Sequence, residues 1–136
     1  MCLSGAREVQ QKTLLKLKSD ELRVFVVWLP RYNGDNRTKA VAATQIVSDP
    51  RARHFWDGDG TLGKRFGKVL SLPDSRDFAW DVYLAFDRSM VWDSMPPQPA
   101  YWMHQLGPNT NDKRRLAGET FRIQLERMLE AASDNR

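Results

Sequence analysis

The sequence predicts an α/β layered domain, and three observations carry that prediction. Helically spaced apolar residues alternate with short β-branched or aromatic runs, in the order helix, strand, helix, short strand, helix, hairpin, helix. One run, Val24 to Leu29, is apolar without interruption, the pattern of a strand covered on both faces of a parallel sheet. The chain has 136 residues, 41% hydrophobic and 28% charged, enough for one domain whose core needs neither disulfides nor a structural metal.

Each element has a local reason. Ala6, Val9, Thr13 and Leu17 recur at helical spacing among polar residues, which predicts an amphipathic helix over 3–18. Leu22 to Leu29 is β-branched and aromatic, a strand ended by Pro30. Asn33-Gly34-Asp35-Asn36 is a turn that leaves Asn36 to cap a helix over 38–47, which Ser48-Asp49-Pro50 stops. His54-Phe55-Trp56 is a short strand. The Asp57-Gly58-Asp59-Gly60 turn follows, and Thr61 caps a third helix carrying Leu62, Phe66, Val69 and Leu70. After a polar loop over 73–77, residues 79–86 alternate as a strand with Trp80, Val82, Leu84 and Phe86 on one face. Asp87-Arg88-Ser89 turns it back into Met90-Val91-Trp92 as a hairpin. Pro96, Pro97 and Pro99 make a stiff extended connection through 101–106 to Gly107-Pro108. The last helix is expected over 112–132, with Phe121, Leu125, Met128, Leu129 and Ala132 buried and Leu116 and Ile123 facing outward. The chain shows no internal repeat.

Composition narrows the function classes. The single cysteine, Cys2, excludes an intramolecular disulfide and a cysteine zinc cage within the chain, and no metal or cofactor is expected. No apolar run nears the roughly 20 residues of a membrane helix, and the first residues lack a signal-peptide pattern, so the expectation is a cytoplasmic chain that does not engage a membrane. A lone thiol fits a reducing compartment. The net charge of +4 is uneven, +6 over residues 1–68 and −2 over 69–136. Its one tight basic cluster is Lys113-Arg114-Arg115, which reads first as a solvated face, so nucleic acid is a minor expectation.

Several patterns match a motif in letters only. Asp57-Gly-Asp59-Gly resembles the start of a calcium loop, but Lys68 stands where the bidentate glutamate belongs. Gly58, Gly60 and Gly63 have dinucleotide-fingerprint spacing with no ribose-binding acid at the required distance. His54 and His104 lie among aromatics, where packing with a satisfied hydrogen bond is the ordinary role and a general base the alternative. No serine has a nucleophile-elbow setting. Of the five tryptophans, Trp28, Trp80 and Trp92 fall on expected strands. Trp56 and Trp102, with Pro97 and Tyr101, are a candidate groove for an extended peptide or apolar ligand, the alternative being that they roof the sheet.

Cys2-Leu3-Ser4-Gly5 at the head of a helix, the Val24 to Pro30 strand, the Ala79 to Phe86 segment with Met90 to Trp92, and the closing helix follow in an order that resembles the thioredoxin-like superfamily. The phrase Ala79-Trp80-Asp81-Val82-Tyr83-Leu84-Ala85-Phe86-Asp87, followed by Trp92 and Pro96-Pro97, is similar to an uncharacterised bacterial branch of it. The resemblance implies a thioredoxin-like layered sheet with flanking helices over residues 1–136, lacking the first strand and the first cysteine of the Cys-x-x-Cys motif. The cis-proline usual before the hairpin is replaced by Phe78-Ala79. It implies Cys2 as the one catalytic residue, Arg7 and the helix start as stabilisers of its thiolate, and Trp28, Ala79 and Trp80 as neighbours of the site. A lone thiol supports at most monothiol chemistry with a protein thiol or glutathione. The alternatives are a non-catalytic interaction module that dimerises through exposed strand edges, and a weak nucleic-acid binder.

Overall fold

A computed structural model describes residues 2–73, 78–107 and 112–134. The fold is mixed α/β: four helices and two small sheets, one a parallel pair and one an antiparallel pair. The loop expected over 73–77 lies mostly outside the described residues, as does Pro108.

Helix α1 (Ser4–Val9) continues into one π-helical turn, Gln10–Leu14, and stops short of the expected residue 18. Arg51 explains the stop: its guanidinium donates to the carbonyls of Leu14, Leu17 and Ser19, each at 2.9 Å, so the chain turns away with its last carbonyls satisfied. Strand β1 (Val24–Trp28) pairs in parallel with β2 (Ala52–Trp56), Val26 opposite His54. Between them lies α2 (Arg37–Ala43), prolonged by a 3₁₀ turn Thr44–Ile46. Asn36 caps α2 as expected, its side-chain oxygen accepting from the Lys39 amide at 3.0 Å. Helix α3 (Thr61–Val69) is capped differently from the expectation. The Asp57 carboxylate, not Thr61, takes the amides of Thr61 (3.1 Å) and Leu62 (2.9 Å), while Gly60 supplies the left-handed turn at φ +64°.

The hairpin expectation is overturned. Strand β3 (Val82–Ala85) pairs antiparallel with β4 (Tyr101–His104), where the sequence predicts only an extended connection. Met90-Val91-Trp92 forms no strand; Val91 is 79% exposed, and the Trp92 ring lies 5.7 Å from Phe66 and 5.6 Å from Phe86. The ring-to-ring packing holds Trp92 against α3 and leaves β3's hairpin partner to the residues after the prolines. Helix α4 (Gly118–Asp134) starts later than expected, after a turn. Leu116 in that turn is buried with Ala85, Met103 and Phe121, a correction to its outward placement, whereas Ile123 is exposed as expected.

Three clusters make the core. One joins α1, α2 and the inner face of β1 through Ala6, Leu14, Trp28, Ala40, Ala43 and Val47. A second joins Leu17, Ala85, Met103, Leu116, Phe121 and Leu125 beneath α4. The third sets Phe66 and Leu70 of α3 against Ala79, with Val82, Leu84 and Trp102 packed on it. The expectation that β1 is covered on both faces holds for one only. Phe25 is 64% and Phe55 50% exposed, their rings 6.3 Å apart on the outer face.

Candidate functional site

The sequence-predicted site centres on Cys2, half-buried just ahead of α1. Its Sγ lies 3.4 Å from Ser4 Oγ, and the Ser4 hydroxyl donates to Gln105 Oε1 at 3.0 Å. With that hydroxyl proton spent on Gln105, the thiol is the donor in the Cys2–Ser4 contact. Gly5 brings α1 against β3: a Cβ there would fall within 2.8 Å of both the Tyr83 hydroxyl and Asp81 Oδ1. Asp81 takes a left-handed φ of +54°, which turns its carboxylate back to accept the Tyr83 hydroxyl, and its Oδ2 is buried without a partner among the described residues. Burial first, then the Asp81 charge and hydrogen bond, and last Cys2, push the Tyr83 hydroxyl above the ordinary phenol range. Cys2, Ser4, Asp81, Tyr83 and Gln105 therefore form one polar seam between α1 and β3. Sequence reading named only Cys2 of these five, because Asp81, Tyr83 and Gln105 lie some eighty to a hundred residues away and nothing local marks Ser4 as their link.

The other predicted residues are dispersed around this seam. Arg7 is exposed, with no hydrogen bond or ion pair to Cys2 among the described residues. Trp28 is buried and donates to His54 Nδ1 at 3.1 Å, the two rings stacked 6.1 Å apart. Ala79 is 2% exposed and donates its amide to Gly63 O at 2.9 Å. Trp80 lies beyond the end of β1, its ring 6.4 Å from Tyr32 and 4.8 Å from the Arg31 guanidinium. The four groove residues do not line one groove. Trp56 packs with the α2 cluster, Tyr101 against Phe121 beneath α4, Trp102 on the α3 side under Arg114, and Pro97 is half-buried in the connection.

Both histidines are engaged at both ring nitrogens. His54 Nδ1 accepts from Trp28, so Nε2 carries the proton toward Val47 O at 3.1 Å. His104 Nδ1 accepts the Leu106 amide at 2.9 Å, so Nε2 donates to Asp112 at 3.0 Å. Neither has a lone pair free for general-base work. Among the described residues no group of His, Cys, Asp or Glu could hold a metal, and no helix is long and apolar enough to cross a membrane.

The sheet edges carry the other feature. The Asp57 amide donates to Trp28 O, which directs the backbone groups of Val24, Val26 and Trp28 toward β2 and those of Phe25 and Val27 away from it. The Gln105 amide donates to Asp81 O, which likewise turns Asp81, Tyr83 and Ala85 toward β4 and leaves Val82 and Leu84 facing the opposite side. The outer edge of β4 is covered, since His104 exchanges backbone hydrogen bonds with Arg114 and Leu116. The inner edges of β1 and β3 have no strand beside them among the described residues.

No protein-family model, no curated protein and no solved structure matches the chain.

Proposed function

We propose that the chain is a non-catalytic binding module on a thioredoxin-like scaffold, engaging a partner through unpaired sheet edges rather than performing dithiol chemistry. The observation that carries this reading is the pair of separate two-stranded sheets, each with one inner edge unpaired among the described residues. Unpaired N–H and C=O groups along an edge are a template for another strand. Residue-resolved amide hydrogen exchange on the dilute chain tests it. Phe25, Val27, Val82 and Leu84 are expected to exchange at least about tenfold faster than Val26 and Tyr83, whose amides lie in ladders. Equal protection in a dilute monomer refutes the reading.

A second reading, monothiol exchange between Cys2 and a protein thiol or glutathione, is favoured by the half-buried position of a free cysteine just ahead of α1. Mixed-disulfide formation with oxidised glutathione, lost in Cys2→Ser, is its expected signature; an inert thiol in the folded chain removes it.

A further inference from the structure

The two unpaired edges are placed together. Leu22, just ahead of β1, packs in the cluster that holds Ala85 at the end of β3. At the other end Tyr32, after β1, meets Trp80, ahead of β3, and Arg31 lies over the Trp80 ring. The end of β1 thus meets the start of β3, and the start of β1 shares a cluster with the end of β3, an opposed arrangement in which the strands belong to separate sheets. Helix α1 spans them on one face: Ala6 and Leu14 pack with Trp28 of β1, while Gly5 abuts Tyr83 of β3 and Val9 belongs to both clusters. Helix α3, which follows β2, reaches the opposite face of β3 at Val82 and Leu84.

We propose that the slot between β1 and β3 takes a single extended segment of a separate polypeptide, parallel to β1 and antiparallel to β3, apolar on the face toward α1. This deepens the binding-module reading and rests on it. Phe25 and Val27 offer hydrogen-bond groups from one side, Val82 and Leu84 from the other, so one strand of about five residues satisfies both edges. A second copy adding its own sheet edge would satisfy β1 or β3 but not both. Helix α1 covers one face at both strands and α3 the other face at β3 alone, which calls for apolar side chains toward α1 and on the β3 side. Charge fixes the end: the buried, unpartnered Asp81 Oδ2 stands where β3 begins, beside the end of β1, and so calls for a basic residue directly after the strand.

The test uses the full chain, isotope-labelled, and an acetylated five-residue Val/Ile peptide followed by lysines, with a nitroxide at either end. At free peptide about ten times Kd, protection of Phe25, Val27, Val82 and Leu84 is expected to rise about tenfold together. The C-terminal nitroxide should broaden Trp80 and Asp81, and the N-terminal one Leu22 and Ala85. A peptide N-methylated at alternate residues should lose binding, a control that leaves the protein's folding untouched. Protection along one edge only, reversed broadening, or unimpaired binding of the methylated peptide overturns the slot and leaves the module reading standing. So does concentration-dependent protection of the four amides without peptide, which assigns the edges to self-association. No binding together with full protection in the dilute monomer overturns both.

Discussion

Arg51 is the residue whose loss should cost the fold most. It is 17% exposed at its side chain, its Nη2 lies 2.7 Å from Asp49 Oδ2, and its Nε donates to Asp49 Oδ1 at 2.8 Å. The same guanidinium closes the π turn after α1 by its three carbonyl bonds. Arg51→Met keeps the aliphatic stem and strands a buried carboxylate with three carbonyls. Breaking a buried pair costs about 3–5 kcal/mol, and the partial access of water here favours the low end, about 3 kcal/mol. With a urea slope of about 1.5 kcal/mol/M for a domain of this size, the midpoint followed by tryptophan fluorescence should fall by about 2 M. The pH dependence has a definite sign. Hydrogen bonding by Arg51 holds the Asp49 carboxyl below its ordinary range, so its contribution is fully present above the unfolded value near ~3.9. It is lost as pH falls through the lower folded value. The deficit of Arg51→Met should therefore be full at neutral pH and shrink under acid. A midpoint shift below about 0.5 M, or a deficit that does not shrink, refutes the assignment of Arg51 as the closure of α1.

Asp57→Ala removes the cap of α3 and should cost about 1 kcal/mol in the same denaturation assay; a neutral result would mean that Gly60 alone sets the helix start. Gly63→Ala would put a Cβ 2.7 Å from the Phe78 ring and 3.1 Å from Ala79 O, and should cost about 1–3 kcal/mol by moving α3 off the start of β3, read as changed Trp80 fluorescence. Gln10→Met removes a side-chain oxygen that is buried without a partner and should stabilise or be neutral; a loss above about 1 kcal/mol would show that the oxygen is satisfied in solution. Phe25→Thr, at a 64% exposed site, should change stability within about 0.5 kcal/mol, measured by the urea midpoint.

What the sequence made legible was local. The apolar run at Val24 to Trp28, the His54-Phe55-Trp56 strand and the Asn36 cap are each determined by a few consecutive residues, and each appears where expected. The errors fall where distant groups compete. Met90-Val91-Trp92 has strand composition, yet aromatic packing of Trp92 on Phe66 and Phe86 holds it out of the sheet, and Tyr101–His104 takes the place beside β3. Thr61 has the side chain of a cap, but the Asp57 carboxylate reaches the same amides from the preceding turn. Leu116 seemed outward only because α4 was taken to begin before it; in a turn, its side chain is free to drop into the core. The polar seam was illegible because Ser4 meets Gln105 across 101 positions, and no local pattern encodes such a pairing.

The seam also decides how the two readings of Cys2 compare. A thiolate needs donors or positive charge beside it. Here the Ser4 hydroxyl proton is committed to Gln105, and the Tyr83 proton is committed to Asp81 and held there by burial. Arg7, the cation expected to assist, is exposed and makes no bond to the sulfur among the described residues. The Ser4–Gln105 bond instead ties the start of α1 to the residue after β4, whose amide donates to Asp81 O at the start of β3. Asp81, whose Oδ2 is buried without a partner among the described residues, is the member of the seam that the strand-binding reading uses, and the thiol reading gives that oxygen no role.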